Sequence, residues 1–135
     1  EGIDVRIERE QVRRRLRSAG FYERAAFGFG RHIGPDEIDR RPIFSFSDFL
    51  RGIPGVRFEN EAIQFSGGLA GTCDPNIYID GAQVFQDFGI TTLIQPQDVE
   101  GIEVYRGVAQ TPMEWAGFNG SCGVILIWTK FGGRN

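Results

Sequence analysis

The sequence predicts a single α+β domain in which a small mixed β-sheet packs against short helices. Several short stretches alternate apolar and polar residues or are wholly apolar, as strands do. Other short segments begin with proline or serine and an early carboxylate, as helices do. Glycine accounts for 19 of the 135 residues, about twice its usual share of roughly 7%, which indicates glycine-rich loops. We expect the sheet to contain strands at residues 55–58, 77–80, 99–105 and 123–129.

The amino-terminal segment predicts a strand, a helix and an irregular connector, in that order. Isoleucine and valine alternate with polar residues over residues 3–7, which favours a short strand with one buried face. Residues 9–18 are arginine-rich, with Val12 and Leu16 at i and i+4, so they predict an amphipathic helix. The aromatic and glycine-rich residues 21–30 are typical of an irregular connector.

The middle of the chain predicts two short helices followed by strands. Proline and early carboxylates at residues 34–37 predict a helix start. Residues 45–48 have the spacing of a capping box, which predicts another helix that ends at Gly52. Two strands, at residues 55–58 and 61–65, should follow, before a loop of small residues. That glycine-rich loop spans residues 66–71.

The carboxyl-terminal half predicts the most deeply buried part of the sheet. Residues 76–85 carry a strand, an Asp-Gly turn and a returning strand, as in a β-hairpin. A short helix at residues 91–94 should precede the strand at 99–105. Residues 123–129 are apolar at nearly every position, so we place this strand in the interior of the sheet, buried on both faces.

The charge of the chain is unevenly distributed. Residues 1–57 carry twelve arginines against nine carboxylates, whereas residues 58–135 carry three basic residues against nine carboxylates. The formal net charge is −3, and we expect no nucleic-acid partner. No apolar run approaches the ~20 residues that a membrane-spanning helix requires.

The two cysteines, Cys73 and Cys122, are expected to form a disulfide. Neither belongs to a C-x-x-C pair, and a single histidine leaves too few soft ligands for a zinc site. Two cysteines in a small glycine-rich chain favour one disulfide in an oxidising compartment. The alternative is two buried free thiols.

The sequence contains no constellation that indicates catalysis, a cofactor or a metal. His32 is the only histidine, and no nucleophile motif lies near it. The carboxylates of residues 36–39 are explained by helix capping and a solvated face. Asp74 and Asp80 are explained as turn formers. We therefore expect a protein that is not an enzyme, with no cofactor and no small-molecule substrate.

Four motifs in the same order resemble the plug domain of TonB-dependent receptors. Residues 49–56, FLRGIPGV, are similar to the L-x-x-I/V-P-G-V segment of these plugs, and residues 77–81, IYIDG, resemble their Y-I/V-D-G hairpin. Residues 96–107, PQDVEGIEVYRG, are similar to P-x-D-V-E-x-I-E-V-x-R-G. Residues 117–130 match the closing apolar segment. The resemblance implies a plug-like fold over residues 34–131.

The resemblance implies a function in binding other proteins. A receptor barrel needs several hundred further residues, and we find no convincing TonB box. We therefore expect a periplasmic, membrane-associated extrinsic subunit, exported by a removed targeting segment, that binds and stabilises a larger membrane protein complex. The host could be an outer-membrane β-barrel assembly or an inner-membrane complex such as a photosynthetic reaction centre. The alternative is the plug fragment of an outer-membrane receptor for siderophore or nutrient uptake.

The expected domain organisation is a docking arm at residues 1–33, the plug-like domain at 34–131 and a tail at 132–135. The arginine cluster of the arm could contact an acidic partner or anionic lipid headgroups, or could be only a solvated helix face. In receptors the segment that matches Glu103 and Arg106 lies near charged residues of the barrel wall, so Arg106 needs another carboxylate partner, is exposed or pairs locally with Glu103. The candidate partner-binding residues are Arg13, Arg14, Arg15, Arg17, Phe21, Tyr22, Phe27, Phe29 and Arg106.

Overall fold

A computed structural model describes residues 2–67, 71–87, 89–117 and 122–132, with side chains from residue 5 onward. The α-helices are α1 (Gly2–Ser18), α2 (Phe21–Ala26), α3 (Pro35–Arg40) and α4 (Ser47–Leu50). The strands are β1 (Arg31–Ile33), β2 (Val56–Glu59), β3 (Ala62–Ser66), β4 (Thr72–Cys73), β5 (Asn76–Ile79), β6 (Ala82–Val84), β7 (Val99–Arg106) and β8 (Gly123–Thr129). Single 3-10 turns occur at Ile90–Thr92, Pro96–Asp98 and Met113–Trp115.

The main sheet is mixed, as the sequence predicts. Its five strands lie in the order β1-β7-β8-β5-β6. Strands β5 and β8 are parallel, and the remaining neighbours are antiparallel. Strand β8 is interior and every one of its residues is buried, which confirms its predicted central position.

The strand predicted at residues 55–58 does not belong to this sheet. It forms β2, which pairs with β3 and then β4 in a separate three-stranded antiparallel sheet. The connection between β2 and β3 is a two-residue turn at Asn60 and Glu61, both with positive φ. Such a turn closes a tight hairpin, so β2 pairs with its sequence neighbour rather than with the central strands.

The strand predicted at residues 3–7 is wrong, because these residues belong to the continuous helix α1. The three alternating apolar positions include a pair at i and i+4, so the pattern fits a helix as well as a strand. The connector predicted at residues 21–30 contains the short helix α2, which begins after Gly20 in the left-handed region, φ 86°. Strand β1, which the sequence did not predict, then pairs with the edge of β7.

Alternate residues of β8 face two different apolar layers. Ile125 and Ile127 pack in the layer that contains α4 and the second sheet. Val124, Leu126 and Trp128 face the opposite layer. That second layer is closed by α1 and α2, through the buried side chains of Leu16 and Phe21. The amino-terminal segment therefore packs on the face of the main sheet opposite to α4 and the second sheet.

The predicted helix starts and turns agree with the structure at most positions. Helix α3 begins at Pro35. The carboxylate of Asp48 accepts hydrogen bonds from the backbone N–H groups of Phe44 and Ser45, which is one half of the predicted capping box. The helix itself begins at Ser47, after Phe46, without a side-chain cap. The turn predicted after β5 has Asp80 at φ 51°. The helix predicted at residues 91–94 is a 3-10 turn one residue earlier.

Some predictions fall on residues that the structure does not describe. The middle of the loop at residues 66–71 and all but the first residue of the tail at 132–135 lie outside the described ranges. Within those ranges, none of the helices combines the length and the apolar character needed to cross a bilayer.

Candidate functional site

A buried carboxylate on β7 is the centre of a polar cluster. Glu103 is fully buried, and Arg24 of α2 binds it through two hydrogen bonds, Nε–Oε1 and Nη2–Oε2, both 2.8 Å long. The indole N–H of Trp128 donates to Oε2 at 2.7 Å. The hydroxyl of Tyr105 donates to Oε1 and lies 2.9 Å from Nε2 of His32. That Nε2 is also 3.2 Å from Oε1.

These contacts determine the ionisation of the cluster. Burial alone raises the pKa of Glu103, but the hydrogen bonds from Arg24, His32, Tyr105 and Trp128 outweigh it and lower the pKa from 4.5 to about 2. Burial, and then the hydrogen bond to the Glu103 carboxylate, raise the pKa of the Tyr105 hydroxyl. At neutral pH the cluster is a carboxylate–guanidinium pair with a neutral phenol.

The Arg24 guanidinium has aromatic neighbours as well as the carboxylate. Its central carbon lies 5.7 Å from the ring centre of Trp128 and 5.9 Å from that of Trp115. One of its nitrogens donates to the carbonyl oxygen of Ala19 at 2.9 Å. Bidentate pairing and stacking on aromatic rings are arrangements that arginine supports and lysine does not. The cluster therefore joins α2 to β1, β7 and β8.

The described contacts of this cluster connect elements of the fold. Its members are a carboxylate, a guanidinium, a phenol, an indole and an imidazole, and none of the described contacts brings a serine, threonine or cysteine nucleophile to His32. Within the part of the chain that the structure describes, no three His, Cys, Asp or Glu side chains are arranged to hold a metal ion.

Sequence reasoning missed the pairing of Arg24 with Glu103. Glu103 lies between Ile102 and Val104 in a strand that is buried at six of its eight positions, so a compensating cation was required. The need for this cation was the only sign of the pair that the sequence offered. It could not identify the partner, because Arg24 is 79 residues away in sequence and its segment was interpreted as an irregular connector.

The arginine cluster of α1 divides into one inward and several outward side chains. The guanidinium of Arg15 forms two hydrogen bonds with the carboxylate of Glu100 in β7. Its Nε donates to Oε1 at 3.0 Å, and its Nη2 donates to Oε2. Arg13 lies 3.6 Å from Asp36, and both side chains are exposed. Arg14 and Arg17 are exposed, and neither forms an ion pair with a described carboxylate. Arg15 is therefore committed to the fold, while the others face solvent.

The four candidate aromatic anchors also divide. Phe21 is only 3% exposed and packs in the domain's own core against the sheet, so it presents no surface to a partner. Tyr22 is 37% exposed, Phe27 71% and Phe29 59%. The exposed candidates thus lie in and just after α2.

Arg106 contacts main-chain oxygens and forms no ion pair with any carboxylate that the structure describes. Its Nη1 donates to the carbonyl of Pro54 and its Nη2 to that of Ser66, each at 3.1 Å. The guanidinium lies over Gly55, where a Cβ atom would approach its central carbon to 2.1 Å. The expected local pair between Arg106 and Glu103 does not form, because residues three apart in a strand point to opposite faces of the sheet. Arg106 instead ties the second sheet to the end of β7.

The predicted disulfide between Cys73 and Cys122 is confirmed. Cys73 lies in β4 of the second sheet, and Cys122 directly precedes β8 of the main sheet. Their Cα atoms are 6.0 Å apart. Among the described cysteines none is free. The bond therefore links the two sheets.

The family model of the TonB-dependent receptor plug domain matches residues 31–121. The chain belongs to this family, as the four motifs predicted. Plug domains of the family sit within the β-barrel of a membrane receptor. The match begins at β1, so α1 and α2 lie outside it. No curated protein matches the chain.

Several solved receptors share this fold. The siderophore receptor PirA from Pseudomonas aeruginosa is 31% identical over 74% of this chain, with a TM-score of 0.52. The ferric enterobactin receptor PfeA from the same organism is 26% identical over 74% of the chain, with a TM-score of 0.55. The RagAB peptide importer is 20% identical over 74%, with a TM-score of 0.53, and shows the fold alone. The chain covers 18%, 17% and 12% of these structures, respectively.

Proposed function

We propose that this chain is a plug-like, non-enzymatic protein-binding module, exported to the periplasm, where it attaches to a larger membrane protein complex and stabilises it. The observation that carries the proposal is the cover formed by α1 and α2. These helices lie outside the family match, and they close one face of the main sheet with residues of the same chain.

The buried ion pair supports this function. In receptors the segment that matches Glu103 lies near charged residues of the barrel wall. Here Glu103 is fully buried, and Arg24 from the amino-terminal segment supplies its cation. An unpaired buried charge would be expensive, so the chain itself meets a need that a barrel would otherwise meet. A plug-like domain with both sheet faces covered can act as a folded unit on the surface of a complex.

A second function has its own support. PirA, a siderophore receptor, is 31% identical over 74% of this chain, and residues 96–107 resemble the family's motif. The chain could therefore serve as the plug of an outer-membrane receptor for siderophore or nutrient uptake. The inner-membrane host considered from the sequence, a photosynthetic reaction centre, has no support from the fold or from the comparisons.

The proposal is tested with the full chain, epitope-tagged in its native cells. Membranes are solubilised in mild detergent and separated on a native gel, and the co-migrating subunits are identified. We expect the chain to migrate with a multisubunit complex, and deletion of its gene to lower the temperature at which that complex dissociates. Recovery in the periplasmic fluid alone, or an unchanged complex after deletion, would contradict the proposal. Recovery as part of one polypeptide with a heat-modifiable barrel would establish the receptor function instead.

A further inference from the structure

The outward face of α1 carries a row of arginines. Arg6, Arg9, Arg13 and Arg17 are spaced at i, i+3, i+7 and i+11, so they lie on one side of the helix. At 1.5 Å per residue the row is about 16 Å long. All four side chains are exposed, whereas Leu16, which flanks the row at i+3 from Arg13, is buried against the sheet. The packing of α1 therefore fixes which way the row points.

Most of these arginines are not neutralised by ion pairs within the described part of the molecule. Three of the arginines form no ion pair with a described carboxylate: Arg6, Arg9 and Arg17. Arg13 lies 3.6 Å from Asp36, with both side chains exposed, and such a pair contributes at most about 1 kcal/mol. Glu8, Glu10, Asp39 and Asp98 also lie near the row and reduce its charge. Helix α1 as a whole still carries six arginines against three carboxylates.

Two phenylalanines project into solvent directly after α2. Phe27 is 71% exposed and Phe29 is 59% exposed. They alternate with Gly28 and Gly30, whose φ angles of 85° and 77° lie in the left-handed region. A Cβ atom at Gly30 would come within 2.5 Å of the Tyr105 ring, so the backbone is held close to β7 there. This loop is anchored at its base while its two large apolar side chains remain in water.

Tyr22 connects the two features. It is exposed at the start of α2, and the guanidinium groups of Arg13 and Arg17 lie close enough to oppose the rise of its pKa caused by burial. Helix α2 has six residues and is therefore about 9 Å long, so Phe27, directly after it, follows Tyr22 by less than one helix length along the axis. Exposed cationic and aromatic side chains thus succeed one another from α1 to the loop after α2.

From this arrangement we infer that the arginine–phenylalanine surface, made of Arg6, Arg9, Arg13, Arg17, Phe27 and Phe29, binds an anionic lipid bilayer. The arginines contact headgroup phosphates, and the two phenylalanines enter the boundary between headgroups and acyl chains. This inference deepens the proposed function, because it specifies how the module meets the membrane that holds its complex.

The chemistry of the surface favours lipid over an acidic protein. A protein hot spot usually seats an aromatic side chain among well-packed neighbours, whereas Phe27 and Phe29 project from a loop. Binding to a bilayer requires only positive charge near the headgroups and apolar side chains that can enter the membrane boundary. Arginines can meet the headgroups in several conformations. The remainder of the chain is acidic: residues 58–135 carry nine carboxylates against three basic residues. An anionic membrane repels that half and attracts α1, so the charge asymmetry orients the domain.

Vesicle co-sedimentation of the full chain tests this inference. The probes are vesicles of phosphatidylcholine alone and of phosphatidylcholine with 30 mol% phosphatidylglycerol. We expect binding only to the anionic vesicles, and release at 0.5 M NaCl. The variant R6Q/R17Q should bind about 25-fold more weakly, from about 5-fold per arginine near an anionic surface. The matched control R51Q/R57Q removes two arginines from other exposed positions and should bind as the parent does.

A second variant tests the apolar part of the surface. F27S/F29S should retain salt-sensitive recruitment to the anionic vesicles but bind them more weakly than the parent does. In the separate variants F27W and F29W, brominated acyl chains should quench more tryptophan fluorescence than they do in the parent. Equal binding to both vesicle types, no binding by the parent, or an equal loss in R51Q/R57Q would overturn the inference. If vesicles are not bound but R6Q/R17Q abolishes co-migration with the membrane complex, the surface faces a protein. The vesicles contain no protein, so this experiment can fail while the proposed function stands.

Discussion

At Glu103, a carboxylate with no solvent exposure is balanced by donors from four different side chains. Its bond with Arg24 is bidentate and spans 79 residues of sequence. Removing one partner of such a pair leaves an uncompensated charge in the interior, which costs far more than the pair contributes as a whole. The amino-terminal segment is therefore held to the sheet by a pair in which the loss of either side chain strongly destabilises the fold.

Replacing Arg24 with methionine tests this dependence. The substitution keeps most of the apolar packing but leaves Glu103 buried without its cation. We expect the free energy of unfolding in urea to fall by about 3–5 kcal/mol. The double variant R24M/E103Q buries no charge and should recover part of that loss. A loss below about 1 kcal/mol in R24M would contradict the role of Arg24.

The same carboxylate predicts a loss of stability in acid. The pKa of Glu103 is about 2 in the folded protein and 4.5 in the unfolded chain. As the pH falls, the unfolded chain binds this proton first, so stability that is present above pH 4.5 is lost between pH 4.5 and about 2. The difference corresponds to about 3 kcal/mol. Urea titrations across this range should show a smaller pH dependence for E103Q, and equal slopes would contradict the assignment.

A sequence reveals a pair of interacting residues most readily when the chain offers few candidate partners and these lie close together in sequence. The bond between Cys73 and Cys122 was predictable because the chain contains only two cysteines. The partner of Glu103 was not, because the chain contains fourteen arginines and the segment of Arg24 carries no strong helix pattern. Arg106 was misjudged for a related reason, since its partners are two main-chain oxygens that no side-chain pattern reveals.

At the scale of elements, α1 and α2 show how a peripheral segment becomes part of the core. Helix α1 approaches β7 at Gly101, where a Cβ atom would lie 3.0 Å from Leu16 and 3.3 Å from the ring of Phe21. The absence of a side chain on that residue permits the close approach. Leu16 is 1% exposed and Phe21 3%. The two helices are therefore packed onto the sheet, and only their outer faces remain for binding.

A matched pair of leucine substitutions tests this packing. Leu16 is buried under α1, whereas Leu93 is 44% exposed in a loop. We expect L16A to lower the free energy of unfolding by about 2–5 kcal/mol, and L93A to change it by less than about 0.5 kcal/mol. Urea denaturation monitored by circular dichroism measures both. Similar small effects would mean that α1 contributes little to the stability of the domain.

Element type was predictable wherever the pattern was long and was ambiguous wherever it was short. A run of seven residues that is apolar at nearly every position identified β8 and its central place. Over residues 3–7 only three apolar positions were available, and these fit both periods. The helical period prevails because residues 8–18 extend the helix without interruption.

At the scale of the whole molecule, two sheets are joined by contacts of different kinds. The three-stranded sheet packs on the main sheet through a shared apolar layer. Arg106 of β7 binds the carbonyl oxygens of Pro54 and Ser66, on either side of the β2–β3 hairpin. The disulfide joins β4 to the residue before β8. The sequence predicted one sheet because strand patterns report burial and period, whereas the assignment of a strand to a sheet depends on turn geometry.

The disulfide makes the stability of the whole domain depend on redox conditions. It closes a loop with a sequence separation of 49 residues, and loop-closure entropy for about 50 residues corresponds to roughly 4 kcal/mol at most. C73S should therefore lower the melting temperature in oxidising buffer by about 10–15 °C, at about 4 °C per kcal/mol for a chain of this size. In reducing buffer the parent and C73S should melt together, because neither then has the crosslink. The intact parent should also show a mass two daltons below that of the reduced chain and no alkylatable thiol. If the parent and C73S melt alike in oxidising buffer, the bond contributes nothing to stability, and Arg106 and the apolar layer alone hold the two sheets together.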